Sequence, residues 1–378
     1  MKKLAILALA VMIALPASAA GVTISGYIDI GYIAAQKGGV VGNQQASGAT
    51  NGTWNGNDGF SLNEVNIDLS SQLTNDINAF VSLDVNTPTN AAAVVDYAYI
   101  DFANPGPFDL NVRAGRIPSV IGIEQRASES NQTKFINLSL LSPLTVGSVD
   151  GAAVYGSFSP VNYAIAISNY DLVGSDSITT TAALPPSNNN GAVAGLAENN
   201  NDLAISGRIG VIPIEGLEVG VSAARDVYQT APSALAPTNP IRTLLGVDVS
   251  YSWGALTLKG EYVSAKEQKA AAITSIKLSD AKVSAYYVEG LYDLTSKLTL
   301  GVRYNVVKVT QNNVNNASPS DKLADYNTLS FAGCYKVADN VLLKAEYDRN
   351  DESVMGYASQ AGIENDNDVI ALSLVGSF

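Results

Sequence analysis

The sequence contains no histidine and a single cysteine, Cys334. Without histidine, neither a Ser-His-Asp nor a Cys-His catalytic arrangement can form, and the commonest metal-ligating side chain is missing. One cysteine cannot form an internal disulfide, so we interpret Cys334 as a small strand residue. Carboxylate-only catalysis is conceivable, but no motif indicates it. We therefore predict no catalytic residue, no cofactor and no bound metal.

Basic residues and long apolar runs are also scarce. The chain has 22 Lys and Arg against 35 Asp and Glu, which argues against nucleic acid as a partner, because phosphates are bound by Lys and Arg. The longest apolar run lies at the start, where Lys2 and Lys3 precede residues 4–15 and an Ala-Ser-Ala cleavage site at 17–19. We predict a secretory signal peptide at 1–20 and one domain at 21–378, since twelve apolar residues are short for a retained anchor helix.

The rest of the chain alternates between apolar and polar residues with a period of two, which is typical of strands. In NEVNIDL, for example, Val65, Ile67 and Leu69 share one face. Seven short turns alternate with eight longer polar connections, a pattern that requires sixteen strands, and every proline after the signal segment falls between strands. The longer connections are predicted at 36–58, 86–92, 117–147, 172–201, 227–242, 267–281, 310–323 and 351–366.

The last strand, VIALSLVGSF, shows how the sheet ends. Ile370, Leu372, Leu374 and Phe378 occupy one face up to the terminus. A free apolar edge promotes aggregation, so we predict that this strand pairs with the first and closes a barrel. Strands of about ten residues with aromatic side chains near both ends fit a membrane-spanning barrel. The predicted fold class is an all-β transmembrane antiparallel β-barrel with short periplasmic turns and long extracellular loops.

These features resemble a Gram-negative outer-membrane porin. The resemblance covers the mature chain, and it is most specific in FDLNVRAGRIPSVIGIEQRA, which is similar to the strand end that leads into the third loop of porins. The acidic Pro-Glu-Phe-Gly-Gly-type motif of general porins is absent, and GRIPSVIGIE is closer to other porin-like barrels, including relatives of anion-selective porins. The resemblance implies that loop 117–147 folds into the lumen, that Phe378 belongs to the signature read by the insertion machinery, and that the protein is a homotrimer.

We expect this loop to narrow a water-filled pore. The predicted constriction places Glu124 and Glu129 of the loop opposite Arg113 and Arg116 of the wall. Alternation puts Arg116 on the outward face, so its inward position rests on the resemblance and requires a bulge. Two further loop residues complete the predicted constriction: Arg126 and Lys134.

Alternation also predicts which charged residues point into the lumen. Because a packed interior could not solvate so many charges, we expect the lumen to be filled with water. Acids outnumber bases among them, which predicts mild cation preference during passive diffusion of ions and small hydrophilic solutes. The predicted wall residues are Asp29, Glu64, Asp68, Asp84, Arg208, Asp248, Lys259, Glu261, Glu289, Arg303, Lys344 and Glu346.

Two other functions are compatible with the same barrel. A structural or adhesive barrel would have a plugged lumen and no conductance, and a barrel enzyme would have to work with carboxylates and serine. A soluble secreted β-protein is disfavoured by the apolar outer faces. The expected partners are outer-membrane lipid and lipopolysaccharide, and acidic stretches at 348–352 and 364–368 are weak candidates for divalent cations.

Overall fold

A computed structural model of the protein describes residues 21–35, 59–85, 93–104, 109–170, 202–227, 241–267, 281–311, 321–354 and 368–378. The signal peptide predicted at 1–20 and most residues of the predicted long connections other than 117–147 lie outside these ranges. So do two of the aromatic residues near predicted strand ends, Phe108 and Tyr228.

The described residues form sixteen strands. In chain order they are β1 Val22–Ala35, β2 Gly59–Thr74, β3 Ile77–Val85, β4 Ala93–Asn104, β5 Leu110–Pro118, β6 Ser148–Phe158, β7 Val161–Ser168, β8 Ala204–Ile214, β9 Leu217–Val227, β10 Ile241–Trp253, β11 Leu256–Glu267, β12 Ala281–Asp293, β13 Leu298–Gln311, β14 Asp321–Ala338, β15 Val341–Val354 and β16 Val369–Ser377.

Each strand pairs antiparallel with its neighbours in sequence, and β1 pairs with β16 to close the barrel. Phe378 completes the seam, because its backbone N–H donates to the carbonyl of Gly26 at 3.0 Å and its carbonyl accepts from Gly26 N–H at 3.2 Å. The predicted pairing of the first and last strands is confirmed. The last strand is therefore not a free edge, and the ladder leaves no unpaired backbone groups along it.

The alternation of residues along each strand corresponds to an alternation of exposed and buried side chains in the structure. On β16, Ile370, Leu372 and Leu374 are exposed, whereas Ala371 and Ser373 between them are buried. One aromatic side chain near the end of a strand departs from the expected outward position: Tyr170 is buried in a cluster with Ile117 and Val149. It follows β7 and turns inward at the rim, where alternation no longer fixes the side chain.

The inner wall is not polar throughout. Val263, Val283 and Val307, on three neighbouring strands, point inward and are almost fully buried. Equating apolar positions with lipid contact is therefore wrong on this side of the barrel, because part of the chain fills the lumen there. No helix within the described residues has the length and apolar character needed to cross a membrane.

Candidate pore constriction

Residues 119–147 connect β5 to β6 and lie inside the barrel; we call them the inner loop. The inner loop contains two short 3-10 helices, Glu124–Ala127 and Ser142–Leu144. Its apolar side chains Ile121, Leu141 and Leu144 join a single buried cluster with inward residues of β10 to β14. These apolar side chains therefore pack against the inner wall, in agreement with the expectation that the loop folds into the lumen.

Two basic wall residues hold the middle of the inner loop. Lys344 is fully buried, and its ammonium donates to Thr133 Oγ1 at 2.9 Å and to the carbonyls of Ser130 and Phe135. Arg303 donates to the Asn137 carbonyl and lies with its guanidinium 4.1 Å from the centroid of the Phe135 ring. Both residues were predicted to line a watery lumen, but they bind loop backbone instead.

Two acidic wall residues bind loop N–H groups in the same way. A carboxylate oxygen of Glu346 accepts from the N–H groups of Ile136 and Asn137, the latter at 3.1 Å. Glu261 accepts from the N–H of Ile123 at 3.3 Å. These hydrogen bonds fix the position of the inner loop against β11 and β15.

Glu124 does not oppose Arg113 and Arg116, which corrects the predicted arrangement. Its carboxylate accepts from the backbone N–H of Ser139 at 2.7 Å and lies 3.9 Å from Arg303 Nη1. Burial raises the pKa of Glu124, and the neighbouring Arg303 charge partly offsets that rise. The residue therefore ties the inner loop to itself and to β13.

Glu129 lies near β1, on the side of the lumen opposite to the contact between Glu124 and Arg303 of β13. The Tyr27 hydroxyl donates to its carboxylate at 2.6 Å. Burial, reinforced by the charges of Asp84 and Asp68, raises the pKa of Glu129 to about 7, although the bond from Tyr27 lowers it. Among the described residues, no Lys or Arg forms an ion pair with Glu129. This carboxyl group is consequently poised to change charge near neutral pH.

An open cavity of about 530 Å³ remains between the first half of the inner loop and the wall. Its wall side carries inward aromatic rings that the sequence analysis did not single out. Phe80 and Tyr99 lie with their ring centroids 5.2 Å apart, and Tyr97 and Tyr155 also line the space. Charged side chains complete the lining; they are Asp68, Arg113, Arg126, Glu129 and Arg208.

The three arginines of this cavity all have acidic partners. Arg113 lies 2.8 Å from Asp101, with its guanidinium 4.2 Å from the centroid of the Tyr99 ring. Arg126 lies 3.0 Å from Glu218, and Arg208 lies 2.9 Å from the same carboxylate and also pairs with Asp248. No ion pair of this kind joins Asp68 to a basic residue in the described part of the chain.

Arg116 is not part of this cavity, and its predicted inward position is wrong. The ladder pairs it with Ala98 and Asp150, on the same face as Ala114, and no bulge interrupts its pairing with either neighbouring strand. Alternation, which placed Arg116 outward, was the better guide. The residue forms a bidentate pair with Asp150 at 2.7 and 2.9 Å, next to the outer rim of β6.

The remaining predicted wall residues face inward. Asp29 accepts from Asn63 at 3.2 Å, and Asp84 accepts from Asn66 at 3.0 Å. Asp29, Asp84 and Glu64 are buried on β1 to β3, and Ser130 of the inner loop lies 3.3 Å from Glu64. These acids therefore lie on the wall next to Glu129 of the inner loop, on one side of the lumen.

On the side of β11 to β13, basic and acidic side chains alternate in a row of ion pairs. Lys259 lies 3.7 Å from Glu289, and Glu289 lies 3.6 Å from Arg303. Lys134, which was predicted for the constriction, is half-buried on the inner loop and has no ion pair with any described residue. The bases and acids are thus distributed unevenly around the lumen, with a group of buried acids on β1 to β3.

Sequence reasoning missed two inward acids as well. Asp101 lies opposite Arg113 in the ladder and pairs with it, and the Tyr155 hydroxyl donates to Asp101 at 2.7 Å. Asp96 is buried next to an irregularity in the ladder between Ser82 and Leu83 of β3 and the facing strand β4. That irregularity explains why the face of β4 could not be read from alternation.

No group of three or more Cys, Asp or Glu among the described residues is arranged to hold a metal ion. The acidic stretch proposed at 364–368 lies outside the described residues except for Asp368, whose carboxylate accepts from the Tyr347 hydroxyl. A closed sixteen-strand barrel with a loop packed inside its lumen is the architecture of membrane channels.

Comparison with known proteins gives the family. The sequence matches the Gram-negative porin family over residues 5–354, and the chain belongs to that family. It is an outer-membrane channel of the passive-diffusion type. No curated protein sequence matches the chain.

Solved structures support the same fold. The outer membrane channel DcaP of Acinetobacter baumannii superposes with a TM-score of 0.66 at 13% identity, covering 96% of this chain and 98% of that one. The trimer form of OmpT from Vibrio cholerae gives 0.60 at 11% identity, with coverages of 96% and 100%. OmpF of Salmonella typhi, solved with daunomycin, gives 0.59 at 12% identity, with coverages of 94% and 97%.

Proposed function

We propose that the protein is a non-catalytic diffusion pore for ions and small hydrophilic solutes, narrowed by the inner loop and mildly selective for cations. The observation that carries the selectivity is the charge balance of the cavity. Arg113, Arg126 and Arg208 are each compensated by a carboxylate, whereas Asp68 and Glu129 have no basic partner among the described residues. Uncompensated negative charge in a narrow pore attracts cations and repels anions.

The two sides of the cavity differ in charge. Acidic groups gather near β1 to β3, around Asp68, Glu129 and Asp84, while the arginines of the cavity come from β5, β8 and the inner loop. A permeating ion would therefore pass between a negative and a more neutral wall. Because the acids are partly or fully buried, their charges are screened less than those of fully exposed groups.

We further propose a homotrimer assembled in the outer membrane. The trimer form of the structurally similar OmpT supports this state. The exposed apolar face of Ile370, Leu372, Leu374 and Phe378 supports contact with lipid and recognition of the last strand by the insertion machinery. The signal peptide at 1–20 remains our prediction for export.

The selectivity is tested by single-channel recording in a planar bilayer, followed by the reversal potential in a KCl gradient. We expect stable conductance steps and a reversal potential that favours K⁺. Asp68→Asn should lower the ratio of cation to anion permeability by about twofold or more, because it removes one uncompensated charge from the cavity. Asp76→Asn, on the exposed turn between β2 and β3, is the matched control and should behave like the unmodified protein.

Three outcomes would contradict parts of this proposal. A reversal potential that favours anions would reject cation preference but keep the pore. An unchanged ratio in Asp68→Asn would remove this carboxylate from the selectivity mechanism. Inserted protein without any conductance would favour the plugged structural barrel, and turnover of lipid or peptide substrates would favour the barrel enzyme.

A further inference from the structure

A series of stacked side chains runs along the inner wall from β6 to β3. The guanidinium of Arg113 on β5 lies 4.2 Å from the centroid of the Tyr99 ring and 4.9 Å from that of the Tyr155 ring. Toward β3, the centroids of Tyr99 and Phe80 are 5.2 Å apart, with an angle of 31° between the ring planes. All four side chains line the cavity next to the inner loop. We call Tyr155, Arg113, Tyr99 and Phe80 the stacked series.

Within this series, the protein holds one of its own planar cations. The guanidinium of Arg113 lies between two rings, and Asp101 accepts from it at 2.8 Å. A guanidinium stacks on an aromatic face, which attracts its positive charge, while its N–H groups lie in the plane and reach a carboxylate at the edge. A ring and a carboxylate next to it are therefore the two groups that hold a guanidinium in this barrel.

The same two groups meet again where the stacked series ends. The strand register places Phe80 of β3 opposite Ser70 of β2, and Ser82 opposite Asp68. Asp68 is thus the diagonal neighbour of Phe80 on the inner face, which is within reach of an aromatic side chain. Asp68 and Phe80 both line the cavity, and the side chain of Ser70 is too small to cover a phenyl ring.

No basic side chain of the protein takes this second position in the part of the chain that the structure describes. The ring of Phe80 is stacked on Tyr99 alone, and Asp68 forms no ion pair with a Lys or an Arg there. Phe80 and Asp68 therefore present to the cavity the combination that Tyr99 and Asp101 present to Arg113.

The rest of the cavity can accept the remainder of a small organic solute. Its volume of about 530 Å³ lies within the range of small-molecule pockets. Across from the rings, the inner loop contributes the polar side chains of Gln125, Ser128 and Gln132. The lining is thus aromatic on one side and polar on the other, as a solute with an apolar chain and a polar end requires.

We propose that Phe80 and Asp68 form a subsite for solutes that carry a planar organic cation, a guanidinium or an amidinium group, with the plane of the group on the Phe80 ring and its N–H groups directed at the Asp68 carboxylate. A K⁺ ion has neither a plane to stack nor N–H groups to donate, so the subsite distinguishes these solutes from inorganic cations. The assignment deepens the proposed function and rests on it, because the solute reaches the cavity through the pore.

The test measures how butylguanidinium blocks the K⁺ current of the full-length barrel in a planar bilayer. Butylurea, which has nearly the same shape but no charge, is the control solute and should not block. Phe80→Leu should raise the half-blocking concentration of butylguanidinium by about three- to fivefold, as expected for the loss of one partly exposed cation–π contact. Phe80→Tyr keeps the ring and should be blocked like the unmodified protein. Because neither substitution changes the charge, the difference between them reports the ring.

The matched control variant is Phe331→Leu, which removes a ring from the exposed outer face of β14 and should be blocked like the unmodified protein. Two further measurements separate the subsite from the proposed function. The reversal potential in a KCl gradient reports the preference for K⁺ over Cl⁻. Saturation-transfer NMR of butylguanidinium with the barrel refolded in a neutral detergent reports binding without any need for conductance.

Each result decides one of the two proposals. Equal half-blocking concentrations in Phe80→Leu and the unmodified protein, or equal block by butylurea, would overturn the subsite. Equal weakening in Phe331→Leu would also overturn it, since the effect would then belong to the barrel as a whole. A reversal potential that favours Cl⁻, together with block that depends on Phe80, would reject the proposed selectivity and support the subsite. Inserted protein without conductance would reject the pore, and the NMR signal would then decide the subsite: a signal reduced in Phe80→Leu supports it, and no signal overturns it.

Discussion

At the scale of single residues, the lumen is defined by which charges have a partner. Arg113 is held between Asp101 and the ring of Tyr99, so its charge is compensated and its position is fixed. Glu129, in contrast, is held by the hydroxyl of Tyr27 and is surrounded by further acids. The cavity thus contains Arg113, whose charge is compensated by a carboxylate, and Glu129, whose charge changes near neutral pH.

Glu129 should make the pore pH-dependent. Its pKa lies at about 7, above its ordinary value of 4.5, so protonation favours the packed position of the inner loop. That stabilisation is complete below pH 4.5 and is lost as the pH rises through 7, because the ionised carboxylate then faces Asp68, Asp84 and Glu64. We expect cation selectivity to increase between pH 5 and pH 8 in reversal-potential measurements.

Glu129→Gln should abolish this change, since the amide oxygen can still accept from Tyr27 but cannot ionise. Glu215→Gln, on the exposed turn between β8 and β9, should titrate like the unmodified protein. An identical pH profile in all three proteins would assign the titration to groups other than Glu129.

At the scale of elements, the inner loop is held by contacts that join distant parts of the chain. Lys344 is 214 residues from Ser130 in sequence, and Glu346 is 209 from Asn137. The wall strands supply donors to loop carbonyls and acceptors to loop N–H groups, so these wall contacts satisfy part of the loop backbone outside its two short 3-10 helices. The apolar cluster around Leu141 adds a second, nonpolar attachment to the same strands.

Removing Lys344 should loosen the inner loop. Lys344→Met keeps most of the length and the apolar stem of the side chain but deletes its bonds to Ser130, Thr133 and Phe135, each worth roughly 1.5–3 kcal/mol for a charged donor. We expect larger and noisier single-channel currents with the barrel intact. Lys336→Met, which removes a lysine paired with Asp339 near a short turn, is the control and should leave the current unchanged. A quiet, normal current in Lys344→Met would show that the remaining contacts hold the loop alone.

The strands could be predicted from the sequence, whereas the loop contacts could not. Lipid on one side of a strand imposes a period of two that is visible locally, as in Ile370, Leu372 and Leu374. No local pattern reports that Lys344 meets Ser130 across the lumen, or that Val263 and Val283 face a loop rather than lipid. Arg116 shows the reverse case: the family motif suggested an inward residue, and the alternation of its own strand was correct.

At the scale of the whole molecule, the seam between β1 and β16 joins the two ends of the described barrel. Nine residue pairs connect these strands, from Tyr27 with Ser377 to Ala35 with Val369. Closure removes both sheet edges, so the barrel has no strand on which another chain could add. Any residue that keeps the first strand close to its two neighbours therefore affects the stability of the complete barrel.

Gly26 is such a residue. A Cβ at this position would lie 2.2 Å from the carbonyl oxygen of Asn66 and 3.0 Å from the ring of Phe378. Because the backbone of β2 cannot move aside without breaking its ladder, Gly26→Ala should destabilise the barrel by roughly 1–3 kcal/mol, as expected for an overpacked site. Gly21→Ala is the matched control, since no atom lies within 4 Å of its Cβ position.

The stability of the two variants is measured as the temperature at which the folded barrel loses its fast migration on a gel. We expect a lower value for Gly26→Ala and no change for Gly21→Ala, and equal values for both would show that the seam adapts to the added methyl group.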